Sequence, residues 1–256
     1  MEINFSKLKL KEPIVFIGLP GIGLVGKIVV DTLIKKTKAK KIGTIKGDFF
    51  PPMVFVNANG QIKESCDEIY YYKTKNQDFF FISGDFQPSL KSIESFSLHH
   101  TFAKEIAKSL KKIGVKEIFS IAGINVGDAR ITKKPELFFA ANKYIDPKTY
   151  KNKLKVTKNT TISGIAGLIL SEAEKLKIPA TCILSETSAK IYGDFESAKA
   201  VLLFIRDFFK IKIDLKEIEE EANKISQAFK QVIKELKKVT DASKMAPEEH
   251  KPTYVR

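Results

Sequence analysis

The stretch that decides the fold is Ile14-Val-Phe-Ile-Gly-Leu-Pro-Gly-Ile-Gly-Leu-Val-Gly26, followed by a helical pattern up to Lys36. Its first six residues are a continuous apolar run between two prolines, which is typical of a strand buried on both faces. Beyond the glycines, apolar side chains recur at helical spacing: Leu24, Val25, Ile28, Val29 and Leu33. A strand, a tight turn and a helix in this order predict the first unit of an α/β sheet.

Strand-like and helix-like segments continue to alternate after this unit. The predicted strands are Lys41–Lys46, Met53–Val56, Gln61–Tyr72, Phe79–Ile82, Val115–Ala122, Leu137–Ala140, Lys153–Val156 and Ala180–Leu184. The predicted helices are Ser92–Lys112, Gly164–Leu176 and Phe195–Phe209. Asn57-Ala-Asn-Gly60 has the composition of a hairpin turn. The pattern predicts an α/β domain over residues 1–212, with a mixed sheet sandwiched by helices.

The chain changes character near Asp214. From there its apolar residues alternate steps of three and four, which is a heptad-type seam: Leu215, Ile218, Ala222, Ile225, Phe229, Val232, Leu236 and Val239. Asp214 and Glu217 have the spacing of a capping box, so we expect a long C-terminal helix over residues 213–240. Its seam can pack on its own domain or against another subunit, and the pattern leaves both open. Residues 241–256 contain two prolines and no periodicity, which predicts a flexible tail.

The charge balance raises the question of a nucleic-acid partner. The sequence has 44 Lys and Arg against 30 Asp and Glu, a net charge of +14. However, only Arg130, Arg206 and Arg256 are arginines, and arginine supplies the fork that reads phosphates and guanine edges. The lysines are scattered along the chain. The composition therefore argues against nucleic acid and favours a solubilising, thermophile-like surface.

The sequence composition also limits where the protein can be located and whether it can contain disulfides or a cysteine-built metal site. No apolar run reaches the roughly 18–20 residues of a membrane span. The first thirteen residues lack the apolar core of a signal peptide, so we expect a cytoplasmic protein without a membrane partner. The two cysteines, Cys66 and Cys182, are too few for a disulfide framework or a cysteine-built zinc site.

The glycine-rich turn has two interpretations. Gly21, Gly23 and Gly26 fit G-x-G-x-x-G between a strand and a helix, and Asp48 stands where a ribose-binding acid would follow. A near match to a phosphate-binding loop ends at Lys27, but Ile28 replaces the hydroxyl residue that holds Mg²⁺. The glycines also suit close packing of strand and helix. A nucleotide- or phosphate-binding enzyme that uses the Gly21–Gly26 turn is therefore the alternative hypothesis.

Other catalytic patterns are weak. His99 and His100 are adjacent, so a helix would point them about 100° apart, away from a shared metal. Cys182 lies in an apolar strand, as a structural thiol does. Four acids lie near predicted strand ends, where a solvated loop explains them as well as a site: Asp85, Asp128, Glu186 and Asp194. We therefore predict no catalytic, cofactor-binding or metal-binding residues and no cofactor.

Two sequence blocks together resemble a known family. Gly18-Leu-Pro20-Gly21-Ile-Gly23-Leu-Val-Gly26 is similar to the N-terminal signature of the proteasome assembly chaperone family, in its archaeal branch. The stretch Ile162–Leu170, followed by Ile183–Thr187 and Asp194–Ala198, resembles the second signature of that family. The resemblance extends from Pro13 to Phe209. It implies a sandwich related to nucleoside phosphorylases, a homo-oligomer, and binding to the α subunits of the core proteasome without a catalytic centre.

The resemblance also draws attention to the C-terminus. Some members of this family end in a hydrophobic residue, a tyrosine and one further residue, which insert between α-ring subunits. Here the last residues are Tyr254, Val255 and Arg256, so the tyrosine is third from the end. This offset displaces the carboxylate by about 3.3 Å relative to the ring. From the resemblance we expect a non-enzymatic chaperone that assembles or activates the proteasome through such tails.

Overall fold

The computed structural model describes residues 2–3, 10–50, 53–88, 93–150 and 153–224. The strands in these ranges are β1 (Glu2–Ile3), β2 (Ile14–Gly18), β3 (Lys40–Lys46), β4 (Val54–Val56), β5 (Ile62–Glu64), β6 (Asp67–Lys73), β7 (Asp78–Gly84), β8 (Glu117–Asn125), β9 (Leu137–Ala141), β10 (Lys155–Val156) and β11 (Ala180–Thr187). The α-helices are α1 (Val25–Thr37), α2 (Ile93–Lys112), α3 (Ala129–Thr132), α4 (Ile165–Lys175) and α5 (Phe195–Phe209).

Nine of these strands form one mixed sheet in the order β1-β3-β6-β7-β2-β8-β11-β9-β10. Its centre, β7-β2-β8-β11, is parallel. The strands β3 and β6 join one side in antiparallel pairs, and β9 joins the other side in the same way. The two edges of the sheet are β1 and β10, each two residues long. The predicted mixed sheet is confirmed.

Helices cover both faces of the sheet. One face carries α1 against α5, and the other carries α2 against α4. The parallel strands at the centre are buried on both sides, and this is why β2 and residues Phe79–Ile82 of β7 are continuous apolar runs rather than alternating. The prediction of a sheet flanked by helices is therefore confirmed, whereas the relation to nucleoside phosphorylases stays a prediction.

Phenylalanines organise the core on the α1 and α5 face. Phe81, Phe16 and Phe119 stand side by side on β7, β2 and β8, in register. The ring of Phe209, at the end of α5, meets Phe16 edge to face at 5.1 Å and Phe119 at 5.0 Å. Such aromatic pairs add specific geometry to the burial of apolar area. They fix α5 over the centre of the sheet.

The segment predicted as one strand, Gln61–Tyr72, is divided in the structure. Its first part is β5, which pairs with β4 in a separate two-stranded hairpin. Its second part is β6, in the large sheet. The break falls at Ser65, whose hydroxyl donates to the carbonyl of Met53 at 3.2 Å and so closes the base of the hairpin. The predicted turn is present, since the amide of Asn57 donates to the carbonyl of Gln61.

The chain after α5 returns along the same face of the sheet. Residues 216–224 are helical, and we call them the last helix. Leu215 and Ile218 are buried in the core cluster that includes α1 and α5, so the first part of the seam packs on its own domain. Asp214 caps the helix by accepting from the amide of Lys216 at 3.0 Å. The remaining seam residues, Ile225, Phe229, Val232, Leu236 and Val239, lie outside the described residues, as does the tail.

Within the part of the chain that the structure describes, no helix is long and apolar enough to cross a membrane.

Candidate functional site at the glycine-rich turn

The turn after β2 is a short, left-handed bend. Gly23 has φ +63° and Leu24 has φ +51°, and the amide of Leu24 donates to the carbonyl of Gly21 at 3.0 Å. Positive φ is easy for glycine, which explains the residue at position 23. The bend ends β2 and starts α1 directly above the parallel centre of the sheet.

Three glycines of the motif serve close packing. A Cβ atom at Gly18 would overlap the carbonyl oxygen of Gly26, and one at Gly26 would overlap the carbonyl oxygen of Ile121 in β8. A Cβ atom at Gly23 would overlap the hydroxyl of Thr187. These contacts bring α1 against β2 and β8 at backbone distance. The packing interpretation of the motif therefore has direct support.

Gly21 differs from the other glycines of the turn. It is exposed, its φ of −154° and ψ of −163° are extended, and a Cβ atom there would have open space. Any residue can adopt this conformation. Gly21 faces a cleft rather than a protein neighbour.

The cleft lies at the carboxyl ends of the parallel strands and has a volume of about 340 Å³. Its walls are the turn at Pro20–Ile22, the end of β8, and Thr160–Ala166 before and at the start of α4. Gln87 connects two of these walls, since its amide nitrogen donates to the carbonyl of Pro20 at 2.6 Å and its oxygen lies 3.5 Å from the amide of Ile165. Among the described residues, no charged side chain lines the cleft.

A buried network holds the turn against the second half of the chain. Arg130, 4% exposed, donates to Asp194 at 2.8 Å and to Ser197 at 3.1 Å. Asp194 also accepts from Thr187 at 2.9 Å and from the amide of Ser197 at 3.0 Å, so it caps α5. Its own amide donates to the carbonyl of Gly23 at 2.8 Å. The solvated-loop interpretation is thus wrong for Asp194.

Lys27 is the lysine of the sequence that nearly matches a phosphate-binding loop, and its ammonium group forms ion pairs with two carboxylates. It pairs with Asp31 at 3.0 Å and with Asp85 at 3.1 Å. Partial burial lowers the pKa of Lys27, but these two ion pairs outweigh that effect, so its pKa is raised overall. A lysine held between two carboxylates is not available to cradle a phosphate without breaking those pairs.

Asp48 lies far from the turn. The strand that precedes it, β3, is separated from β2 by β6 and β7 in the sheet. Three strand spacings correspond to about 14 Å. In a dinucleotide site the acid follows the neighbouring strand, so the ribose-binding role considered for Asp48 does not fit this sheet order.

Asp67 is a buried carboxyl group beside this region. It is 0% exposed, and neither oxygen has a hydrogen-bond partner among the described residues. The side chain lies over Gly84 on the paired strand, where a Cβ atom would overlap it. Burial raises the pKa of Asp67 well above its usual range, and the positive charge of Lys27 opposes that rise.

The other candidate residues lie apart from one another. His99 is buried and His100 is exposed, so the two imidazoles face different surroundings. Cys182 is fully buried, and this burial raises the pKa of its thiol to about 12, as expected for a structural thiol. Asp128 is an exposed partner of Lys190. The described ranges contain no group of three or more His, Cys, Asp or Glu residues that could hold a metal.

The comparison with protein families decides the identity of the fold. The PAC2 family matches residues 15–233, which include β2, the glycine-rich turn and α5. The chain belongs to the PAC2 family. This result confirms the family resemblance drawn from the two signatures.

The chain is similar to proteins of Methanocaldococcus jannaschii and Pyrococcus furiosus. MJ1210 of Methanocaldococcus jannaschii, an uncharacterized protein, is 28% identical over 96% of this chain and 95% of its own length. PbaB of Pyrococcus furiosus, described as an archaeal proteasome activator, has a solved structure with a TM-score of 0.80. It is 26% identical and covers 90% of this chain and 96% of its own. PbaA of the same organism, described as an archaeal homolog of proteasome-assembly chaperone, has the same fold with a TM-score of 0.72 at 21% identity, over 95% of each chain.

The structure brings together Gly18, Pro20, Gly21, Gly23 and Gly26, the five residues predicted as the motif turn. It also shows residues that the sequence reasoning missed, namely Gln87 at the turn, Arg130 in the network that holds the turn, and the buried Asp67 near Lys27. Arg130 carried a usable signal, because an arginine in a chain that otherwise uses lysine suggests a bidentate buried role. Gln87 and Asp67 carried none, since their roles depend on other parts of the fold: Pro20 and Ile165 for Gln87, and Gly84 on β7 for Asp67.

Proposed function

We propose that this PAC2-family chain is a non-enzymatic, proteasome-binding protein that assembles or activates the core proteasome. The observation that carries the proposal is the likeness to PbaB, an archaeal proteasome activator, over 90% of this chain at a TM-score of 0.80. The proposal keeps the cytoplasmic location expected from the sequence.

The cleft and the turn fit a scaffold role. Three of the motif glycines are used for packing, Lys27 is held by two carboxylates, and Arg130 is buried in the network around Asp194. These features position helices rather than reacting groups. They favour the binding protein over the nucleotide-binding enzyme considered as the alternative.

We propose that the contact is made with the α subunits of the core proteasome by the C-terminal residues Tyr254, Val255 and Arg256. A tyrosine supplies a large apolar anchor with few rotamers, and one such anchor can dominate a small contact. Each tail contact is weak alone. Several tails on one homo-oligomer raise the overall affinity by about 10²–10⁴ when they bind together.

The test is capture of purified core proteasome by the immobilised full-length protein. A chain that stops after Pro252 and the point variant Tyr254→Ala are expected to lose retention, whereas the neighbouring Thr253→Ala is the matched control and retains it. Equal retention of all four proteins would overturn the tail mechanism. Failure of the full-length protein to retain the proteasome would overturn the function.

A second assay separates assembly from activation. Peptide hydrolysis by preassembled core proteasome rises with added protein if it is an activator. The yield of core particles from separate α and β subunits rises if it is an assembly chaperone. No change in either yield or hydrolysis would contradict both forms of the proposal.

A further inference from the structure

A groove separates α1 from the last helix on the face of the sheet that α1 and α5 cover. We call it the α1 groove, and its volume is about 480 Å³. Its floor is apolar, formed by Ile28 on α1, Phe195 at the start of α5 and Ile218 on the last helix. Ile28 and Phe195 are half-buried, so they keep apolar surface available for a further side chain.

The rim of the α1 groove is acidic in a chain of net charge +14. Four carboxylates and two ammonium groups line it: Asp31, Glu217, Glu220, Glu221, Lys35 and Lys36. Both lysines already pair with Glu217, at 2.8 and 2.9 Å. Glu220 and Glu221 stand on the last helix, where Glu220 is exposed and Glu221 pairs with Lys224 at 2.8 Å, and Asp31 pairs with Lys27 at 3.0 Å. An apolar floor with an acidic rim fits a basic amphipathic helix.

Residues 225–239 have the sequence pattern of such a helix. Its apolar positions continue the seam, with Ile225, Phe229, Val232, Leu236 and Val239 at alternating steps of four and three. Its charged side chains are four lysines and one glutamate: Lys230, Lys234, Lys237, Lys238 and Glu235. The segment and the groove are complementary in both polarity and charge.

The direction of the last helix decides which chain supplies this segment. Glu217 pairs with lysines in the last turn of α1, and Glu219 pairs with Lys199 in the second turn of α5 at 3.4 Å. The last helix therefore runs back along α5 and is itself one wall of the groove. Residues 225–246 contain neither glycine nor proline, the usual signals for ending a helix. A chain continuing this helix moves past the groove rather than folding back into it.

We infer that the α1 groove of one copy binds the basic segment 225–239 of a second copy of this chain. The apolar seam residues of that segment lie on Ile28, Phe195 and Ile218, and its lysines face Glu220 and Glu221. The inference deepens the homo-oligomer of the proposed function by naming the surfaces that meet. It does not depend on the proteasome.

Cross-linking between two full-length variants tests this contact. Both carry Cys66→Ser, which leaves only the buried Cys182; one also carries Glu220→Cys and the other Lys230→Cys, with tags of different size. A short bis-maleimide is expected to give a covalent product that contains one copy of each variant. As the matched control, the exposed position Lys158→Cys replaces Glu220→Cys and is expected to give at most background.

Two outcomes would overturn the inference. One is a mixed product no more abundant than that of the Lys158→Cys control. The other is a cross-link within a single chain when Glu220→Cys and Lys230→Cys are combined in one protein. In a continuous helix those positions are about 15 Å apart, beyond the reach of a short linker, so an internal cross-link would show that the segment folds back into its own groove.

A charge exchange tests the same contact without relying on chemistry at cysteine. Glu220→Lys with Glu221→Lys is expected to weaken self-association about tenfold or more, measured by sedimentation at low salt. Adding Lys230→Glu and Lys234→Glu to the same chain restores it. Glu105→Lys with Glu174→Lys, on the opposite face of the sheet, is the control. Failure of the rescue, or an equal loss in the control, would contradict the contact whatever the proteasome assay shows.

Discussion

At the scale of single residues, two positions show how the environment of a side chain overrides its ordinary chemistry. Asp67 is an acid in a fully buried site of β6, and Gly26 is a helix residue whose missing side chain permits a backbone contact with β8. Burying a charge without a partner is costly, so the carboxyl group of Asp67 stays protonated over a wider pH range than an exposed one. For substitutions at both positions, the direction of the change in the free energy of unfolding can be predicted.

Asp67→Asn tests the protonation of this group. In the unfolded chain an aspartate ionises near pH 3.9, whereas the raised pKa in the folded state keeps Asp67 protonated to higher pH. The folded protein then holds more protons than the unfolded one, so its free energy of unfolding falls as the pH rises above about 4. Relative to the wild type, Asp67→Asn is expected to gain about 1–3 kcal/mol between acid and neutral pH.

Urea unfolding at several pH values measures this effect. The exposed Asp48→Asn is the control and is expected to follow the pH profile of the wild type. A difference between Asp67→Asn and the wild type that does not change with pH would contradict the protonation assigned here.

The glycine motif gives a matched pair of substitutions. Gly26→Ala places a methyl group against the carbonyl oxygen of Ile121 and is expected to destabilise the fold by about 1–3 kcal/mol. Gly21→Ala enters open space in an extended conformation and is expected to change stability by less than about 0.5 kcal/mol. Chemical denaturation measures both. Equal losses in the two variants would mean that the turn needs glycine for a reason other than packing.

At the scale of elements, the buried network around Arg130 joins α3, the start of α5 and the glycine-rich turn. Arg130 donates to Asp194 and Ser197, and Asp194 holds Gly23 through its amide. Removing one partner of a buried ion pair leaves the other charge uncompensated. The network therefore fixes the angle at which the turn meets the second half of the chain.

Arg130→Ala is expected to destabilise the protein by about 3–5 kcal/mol because Asp194 would stay buried without its cation. Arg206→Ala removes an exposed ion pair with Asp207 and is expected to cost no more than about 1 kcal/mol. Equilibrium unfolding compares the two, and amide exchange shows whether protection falls first in residues 188–194. A small effect of Arg130→Ala on stability would contradict the expectation that Asp194 stays buried without its cation.

The turn also bears on nucleotide binding. Its cleft has no charged side chain among the described residues, and Lys27 is paired with Asp31 and Asp85. We therefore expect calorimetric titration with ATP, NAD or nucleosides to give no saturable heat at millimolar ligand. Saturable binding that disappears in Gly21→Trp, a variant that fills the cleft without touching the packed glycines, would revive the enzyme hypothesis.

Most elements of the fold could be predicted because each carries a local pattern. The apolar run of β2 and the helical spacing of α1 need no distant partner to be recognised. The segment Gln61–Tyr72 was harder, because its division into β5 and β6 depends on which strands pair, and pairing is set by contacts distant in sequence. The candidate site shows the same limit, since its glycines were found from their spacing, whereas the roles of Gln87 and Asp67 depend on residues in other elements of the fold.

At the scale of the whole molecule, the positive charge is distributed rather than gathered. Of the three arginines, Arg130 is buried in an ion pair and Arg206 pairs with Asp207, so both are engaged within the protein. Many lysines pair with carboxylates over the surface, for example Lys41 with Glu68 and Lys116 with Glu12. These placements support the interpretation of the charge as a solubilising surface.

Fluorescence anisotropy with labelled duplex DNA tests that interpretation. A protein that neutralised many phosphates would lose affinity steeply between about 50 and 200 mM salt. At the lower salt concentration we expect weak binding that does not saturate, and at the higher salt concentration we expect no binding. A tight complex with a steep salt dependence would contradict the prediction that nucleic acid is not the partner.

The two short edge strands limit how copies of this protein can join. A neighbouring chain that extends the sheet must find a row of free backbone groups. Among the described residues, β1 and β10 each cover two residues of the strand beside them, and the rest of the outer edge of β3 carries Lys40, Lys41 and a register shift between Lys41 and Gly43. Growth by strand addition, the route by which sheets become fibres, therefore has little to build on. We therefore expect copies of this chain to meet through helix faces rather than sheet edges, since an edge protected in this way disfavours open-ended growth.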